Sequence, residues 1–303
     1  MITTGVLDCT TGTGGTFFDG CEVTKKNFTK IFLKSPNAVI NLTSDTFDKA
    51  AIALLIKKGQ LVPLNNLLSV TDAAAKTNVE TLPNKVKLFV SDGLYDFSFE
   101  FLANVCLIKT LRILTKRKWE LLLMDSEGKL FFDKSNGLLN GFDIAFAVIE
   151  NETINDGGSK TAKFMFECQL SPDGTKGFNE RADFILADDV NGLLKTNGVE
   201  DTLISSVTLT IANFVVSVVA GCDKSTPKIG LTTANFRVLK ASDGSVAVAT
   251  VTEIGNGQYK LAGAGIVAGA VTVQLYDTVN NLAVADILTT RFFQSNILPV
   301  VLV

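Results

Sequence analysis

Histidine is absent from the 303 residues, which removes the side chain that most often moves protons or binds metals at neutral pH. Triads built on an imidazole are therefore excluded, and Cys21 and Cys106 have no histidine to serve as a base. Carboxylates are the next candidates. Asp125, Glu127 and Asp133 flank a Ser-Glu-Gly turn. Glycoside chemistry would need two carboxyls facing each other across a cleft, whereas this spacing reads as turn residues. Asp183, Asp188, Asp189, Glu200 and Asp201 gather near a composition change, but they lack the alternating oxygen ligands and tight glycine turn of a calcium loop. They read as a solvated linker. The cysteines, Cys9, Cys21, Cys106, Cys168 and Cys222, are odd in number and form no CxxC pair, so the expectation is reduced structural thiols. Gly12, Gly14 and Gly15 sit within 10–16, but the Lys-Ser/Thr ending of a phosphate loop is missing. No catalytic residue, metal or cofactor is expected.

The basic residues offer a different chemistry. Lys109, Arg112, Lys116, Arg117 and Lys118 place five cations within ten positions. They read as a solvated helix end, as a contact for the acidic surface of a neighbouring subunit, or as a nucleic-acid contact. No stacking aromatic interleaves with them. The net charge of −3 gives no general attraction to nucleic acid. Residues 1–5 lack a basic region followed by an apolar run, so no signal peptide is expected and synthesis is placed in the cytoplasm. The apolar stretches 214–221 and 297–303 are too short to span a bilayer, and no membrane partner is expected.

The elements that would position these residues are mostly strands. Tyr95, Phe97, Phe99 and Phe101 alternate with Asp96, Ser98 and Glu100, a period of two that predicts a strand. A hairpin pairing 86–90 with 95–101 is expected around Ser91-Asp92-Gly93. Similar alternation marks 142–148 and 164–170, and 119–124 and 129–132 flank a turn. Short strands are expected at 28–33 and 38–42. A helix is predicted near 44–58, capped by Thr43 or Ser44 and closed at Gly59. A second is predicted at 104–114, with Leu107, Leu111 and Leu114 on its buried side. Beyond Ala187, aromatics thin out and Val, Thr, Ala and Gly rise. Short strands at 206–211, 214–219, 236–239, 246–251, 258–261 and 271–276 then suggest a small β-sandwich.

The run 97–111, FSFEFLANVCLIKTL, followed by WELLLMDSEGK at 119–129, the strand at 142–148 and the segment 162–170, resembles structural proteins of tailed bacteriophages. Tail tube and ring- or collar-forming proteins are the nearest class. LTTANFRV at 231–238 and VTEIGNGQYKL at 251–261 are similar to immunoglobulin-like modules appended to virion proteins. The resemblance covers 85–187 and 205–290, is one of pattern, and brings no catalytic signature. The resulting fold class is mainly β: an antiparallel β-sandwich or barrel with two flanking helices, then a C-terminal immunoglobulin-like β-sandwich. The divisions are an N-terminal arm at 1–24, a tail-tube-like domain at 25–187, a linker at 188–204, the sandwich at 205–290 and an apolar tail at 291–303.

The implied function is a non-enzymatic virion subunit that assembles with itself into a ring or tube, alongside other virion proteins and near packaged DNA. The alternative is a capsid-decorating module or one that binds a surface glycan; a carbohydrate-active enzyme ranks below both. Phe17 and Phe18 would anchor the arm on a neighbour. Phe292, Phe293, Ile297, Leu298 and the Val-rich end would either complete the sandwich or add a strand to another copy. Pro299 restricts that strand to an edge or a start.

Overall fold

The computed structural model describes residues 28–45, 48–65, 67–72, 78–91, 93–103, 105–153, 162–186, 196–247, 249–263 and 265–303. The chain divides into two compact units, Met1–Ala51 with Gln60–Leu194, and Ile52–Gly59 with Lys195–Val303. Both are β-rich.

The strands of the first unit are β1 (Phe28–Lys34), β2 (Leu61–Leu64), β3 (Leu67–Asp72), β4 (Asn78–Thr81), β5 (Lys87–Ser91) and β6 (Asp96–Leu102). They continue with β7 (Glu120–Asp125), β8 (Lys129–Ser135), β9 (Leu138–Asn140), β10 (Phe142–Thr153), β11 (Lys163–Leu170) and β12 (Ala182–Leu186). A ten-stranded sheet runs β12-β8-β7-β10-β11-β6-β3, with β1 added to β7, β2 to β1 and β9 to β8. Every named pairing in it is antiparallel. Strict alternation in β6 and β11 turns Phe97, Phe99 and Phe101 toward the same core as Phe164, Phe166 and Cys168. Phe101 stacks on Phe164 at 5.4 Å between ring centroids, and Phe99 on Phe166 at 6.2 Å. Such cross-strand aromatic pairs stabilise a sheet beyond their buried area.

Helix α1 is Lys49–Lys57, shorter than the expected 44–58. Asp48 caps it by accepting a hydrogen bond from the Ala51 amide at 2.8 Å. The Asn41 side chain instead accepts from the amides of Thr43 and Ser44, holding a local turn there. Helix α2, Val105–Leu114, follows the expected span and buries Ile108, Leu111 and Leu114 in the core. A third helix, α3 (Pro172–Lys176), continues into a π-turn at Gly177–Arg181. Ser171 caps α3, and Pro172 occupies its first turn.

That turn delivers Arg181 to Asp133 on β8. Arg181 Nε donates to Oδ1 at 2.9 Å and Nη2 to Oδ2 at 2.6 Å. Arg181 Nη2 also donates to Asp173. The hydrogen bond that Arg181 donates to Asp133 leads the forces that raise the arginine's pKa. A Cβ at Gly177 would collide with the Asp133 carboxylate, so the fork closes only over glycine.

The expected hairpin of 86–90 with 95–101 is corrected. β5 pairs with β4, while β6 lies between β3 and β11. The phenylalanines of β6 need a buried face and two paired edges, and the solvent-exposed β5 supplies neither. The segment 38–42 is not a strand; it makes a single bridge from Asn41 to Leu138.

The second unit contains β13 (Val199–Thr210), β14 (Asn213–Ala220), β15 (Phe236–Lys240), β16 (Thr250–Gly255) and β17 (Gln258–Ala262). It ends with β18 (Gly269–Leu275), β19 (Ala285–Ile287), β20 (Arg291–Ser295) and β21 (Leu298–Leu302). One sheet is ordered β16-β17-β14-β13-β20-β19 and the other β15-β18-β21. Lettered in chain order with the β19–β20 hairpin set aside, these become D-E-B-A and C-F-G. That is the strand distribution of an immunoglobulin constant-type sandwich. The inserted hairpin joins the A edge, with β20 parallel to β13. The two sheets share one core, including Ile204, Val216, Val218, Phe236, Leu261 and Val273. Buried Tyr259 donates its hydroxyl to the Lys228 carbonyl at 2.7 Å.

The expected linker at 188–204 is corrected from Val199 onward, residues 188–195 lying outside the described residues, and the apolar end at 291–303 takes the last-strand reading of the two it allowed. β13 begins at Val199, and the tail forms β20 and β21. Leaving so many apolar side chains in water costs more than ordering them as strands.

Lys57 lies between two carboxylates of this unit, 2.6 Å from Asp277 Oδ2 and 2.6 Å from Asp286 Oδ1. Asp277 also accepts from the Val279 and Asn280 amides and the Asn280 side chain. Burial alone would raise the pKa of Asp277, but the hydrogen bonds from Lys57 and Asn280 outweigh it and hold the carboxyl down at about 2.

Two predictions follow from these ion pairs. Arg181→Ala strands a buried carboxylate and lowers unfolding free energy by about 2 kcal/mol or more, read from denaturant titration. The depressed Asp277 contributes stability above its ordinary pKa of 3.8 that is lost as pH falls through about 2. Wild-type chain therefore loses stability between those pH values, and Asp277→Asn flattens that limb of the melting-temperature profile.

Candidate assembly surface

The structure separates the residues expected to make assembly contacts. Phe17 and Phe18 lie outside the described residues. Phe292 and Phe293 are each 1% exposed, so neither is open to a neighbour, and Phe293 belongs to the sandwich core. Leu298 packs against that core, and its strand pairs with β18. Ile297, in the turn between β20 and β21, does face solvent. Of the two readings of the apolar end, the last strand of the sandwich is the one formed.

The basic run remains at the surface. Lys109, Arg112 and Lys116 lie on the exposed side of α2 and just beyond it, and Arg117 and Lys118 are exposed in the following turn. Val105 and Ile113 are exposed on the same helix. Lys118 reaches Asp143 at 3.3 Å. Beside this turn is a cleft of about 500 Å³, lined by Lys116, Arg117, Trp119, Ala145, Phe146 and Phe166 among others. Trp119 is buried, and its indole N–H donates to the Leu114 carbonyl at 2.9 Å. Phe146 is 58% exposed.

A surface missed by sequence reasoning is the β4–β5 hairpin. It forms a two-stranded sheet of its own, with Val79 opposite Phe89 and Glu80 opposite Leu88. Phe89 is 64% exposed, and Val79, Val86, Leu88 and Val90 are exposed as well. Neighbouring residues on one strand point to opposite faces, so Leu88 and Phe89 leave both faces of the ribbon apolar. The signal was present in KVKLFVS at 85–91. Assigning that run as the partner of β6 concealed it, because such a partner would be half buried.

Asp188 and Asp189 lie outside the described residues; the other carboxylates considered for chemistry hold structure. Asp125 Oδ1 accepts from the amides of Glu127 and Lys129 at 2.9 and 2.8 Å, closing the β7–β8 turn. Asp133 is clamped by Arg181, and Asp183 pairs with Lys134 at 3.0 Å. Asp201 belongs to β13, with its carbonyl bonded to the Gly221 amide. Among the described residues no group of three or more Cys, Asp or Glu is arranged to hold a metal. No helix among them is long and apolar enough to cross a membrane.

The expectation of reduced thiols is corrected for Cys106 and Cys222, which are disulfide-bonded. Spacing alone carries no signal for such bonds, because tertiary proximity decides them. Cys168 is free and wholly buried, and burial pushes its thiol pKa far up, leaving it unreactive.

No family model matches the chain, and no curated protein matches it in sequence. Among solved structures, it is similar to SGBP-B of the Bacteroides ovatus mixed-linkage glucan utilization locus, solved in complex with a mixed-linkage heptasaccharide. Identity is 10%, the match covers 78% of this chain and 62% of that one, and the TM-score is 0.18. At that score the likeness carries no inference.

The cysteine assignment predicts a labelling pattern. In denaturant without reductant, a maleimide modifies Cys168 and spares Cys106 and Cys222, as read by peptide mass mapping. Prior reduction makes all three reactive.

Proposed function

We propose that this chain is a non-enzymatic structural subunit of a bacteriophage virion, assembling with itself into rings or a tube of the tail or neck. The observation that carries the assembly reading is the β4–β5 hairpin. An isolated two-stranded ribbon is marginally stable in water, and this one exposes five large apolar side chains. Half-burying them against a neighbour contributes roughly 5 kcal/mol per hairpin before ordering costs. The open backbone edges of the ribbon add hydrogen bonds to any strand that meets them.

The virion part of the reading rests on the resemblance of 97–111, 119–129, 142–148 and 162–170 to phage structural proteins, and of 231–238 and 251–261 to immunoglobulin-like modules appended to virion proteins. The disulfide bonds at Cys106 and Cys222 support it further. A particle that leaves its host can keep such bonds, whereas a reducing cytoplasm removes them. An immunoglobulin-like unit joined to an assembling β-domain fits the same role.

The test is electron microscopy of the purified chain, with sedimentation across a concentration series. Wild-type protein forms rings or tubes. Phe89→Ser with Val90→Ser raises the concentration needed for assembly by about tenfold or more. It leaves the melting temperature of the dilute protein unchanged, because both side chains are already in solvent. A wild-type chain that stays monomeric at high concentration would falsify the reading.

A further inference from the structure

Two open β edges of the first unit carry matching chemistry. The first belongs to β10. Its pairing with β7 covers Phe142 and Asp143 alone, and Ile144 then donates its amide to the Trp119 carbonyl at 3.3 Å. From Ala145 onward, β10 has runs beyond the start of β7 and is paired with β11 alone among the described strands. The 500 Å³ cleft lies along this stretch. Phe146 offers an exposed ring there, and Lys116 and Arg117 supply exposed cations. The register of β10 on β11 shifts between Ile144 and Phe146, and such irregularities re-aim side chains at sheet edges.

The second edge belongs to β4. It pairs with β5 and with no other described strand. It carries Val79, 44% exposed, next to the exposed carboxylate of Glu80. Lys87 lies on the other strand of the ribbon, opposite Thr81, so the acidic group is on the β4 side.

We propose that β4 of one copy adds as a strand to the free edge of β10 in the next copy. Glu80 then meets Lys116 and Arg117, and Val79 covers Phe146. This deepens the assembly reading and rests on it: it names the surface that receives the hairpin. A second copy is the occupant on grounds of charge and edge complementarity. Residues 109–118 hold five cations and no acid, and β4 supplies an unpaired strand edge bearing an acid. Because donor and acceptor edges differ, the contact is head-to-tail and propagates into a ring or a helical stack. Satisfying both rows of backbone groups also removes two exposed edges that would otherwise invite nonspecific pairing.

Charge exchange in the full-length chain tests this, read by sedimentation and electron microscopy. Glu80→Lys alone, and Lys116→Glu with Arg117→Glu alone, each raise the concentration for self-association by about tenfold. Combining all three in one chain restores it to within about threefold of wild type, which a folding defect would not do. Independently, a Val79→Cys chain mixed under oxidation with a differently tagged Phe146→Cys chain gives a crosslinked heterodimer on a non-reducing gel. If the charge variants assemble like wild type and no heterodimer forms, while Phe89→Ser with Val90→Ser still raises the concentration needed for assembly, self-association stands and this docking site is overturned. If wild-type chain never associates, the assembly reading fails and the docking contact fails with it.

Discussion

The first unit depends on keeping one row of phenylalanines dry. Phe97, Phe99 and Phe101 on β6 and Phe164 and Phe166 on β11 point to the same side and are essentially inaccessible to water. Each contributes about 2 kcal/mol through burial. A slip of one residue between these strands would turn every ring outward, so the register of Phe99 with Phe166 and Phe101 with Phe164 is imposed by the side chains. Helix α2 covers the row with Ile108, Leu111 and Leu114. Phe178, from the π-turn, inserts its ring against Tyr95, Phe97 and Phe142. The opposite face of the same strands is polar, with Lys163 on Glu100 at 3.2 Å and Ser98 near Glu167.

That row also explains why the hairpin stands apart. β3 and β6 are antiparallel neighbours at the end of the sheet, and the chain between them forms the β4–β5 ribbon. No alternation of buried and exposed side chains protects this ribbon. Inside the sheet, apolar residues fall on one face and polar residues on the other. In the ribbon, apolar residues fall on both faces, a pattern that suits a surface completed by something else. Under the assembly proposal, folding and assembly fall to adjacent stretches of the same chain, distinguished by their patterning.

The second unit solves a different problem, closing a two-sheet core from Val- and Thr-rich strands with few rings. The β19–β20 hairpin extends the larger sheet beside β13 and brings Phe293 into the core. The Lys57 cluster ties Ile52–Gly59 into this unit through carboxylates far away in sequence. In both units, the buried acids that might have been mistaken for catalytic groups are held by arginine, lysine or backbone amides. Carboxylates bound in this way act as structural anchors.

Much of the strand content was legible from residues 95–101 and 164–170, because a period of two reports a half-buried face directly. Helix α2 was legible for the corresponding reason, its apolar residues recurring at helical spacing. The short α3 helix had its Ser-Pro start in plain view, but five residues give no periodicity to confirm it. The partner of β5, the destination of the apolar C-terminus and the disulfide bonding of Cys106 and Cys222 were not legible. Each depends on which distant segments meet, and single-chain patterning states only which faces avoid water. The candidate surface divides along the same line. Sequence alone identified the cations at 109–118 and showed that no histidine chemistry is available. Tertiary structure decided that Phe292 and Phe293 are buried, that Phe89 is bare, and that the open edge of β10 runs beside Lys116 and Arg117. The physical reason is that burial and edge pairing are properties of the whole packed sheet, whereas charge and periodicity belong to the local chain.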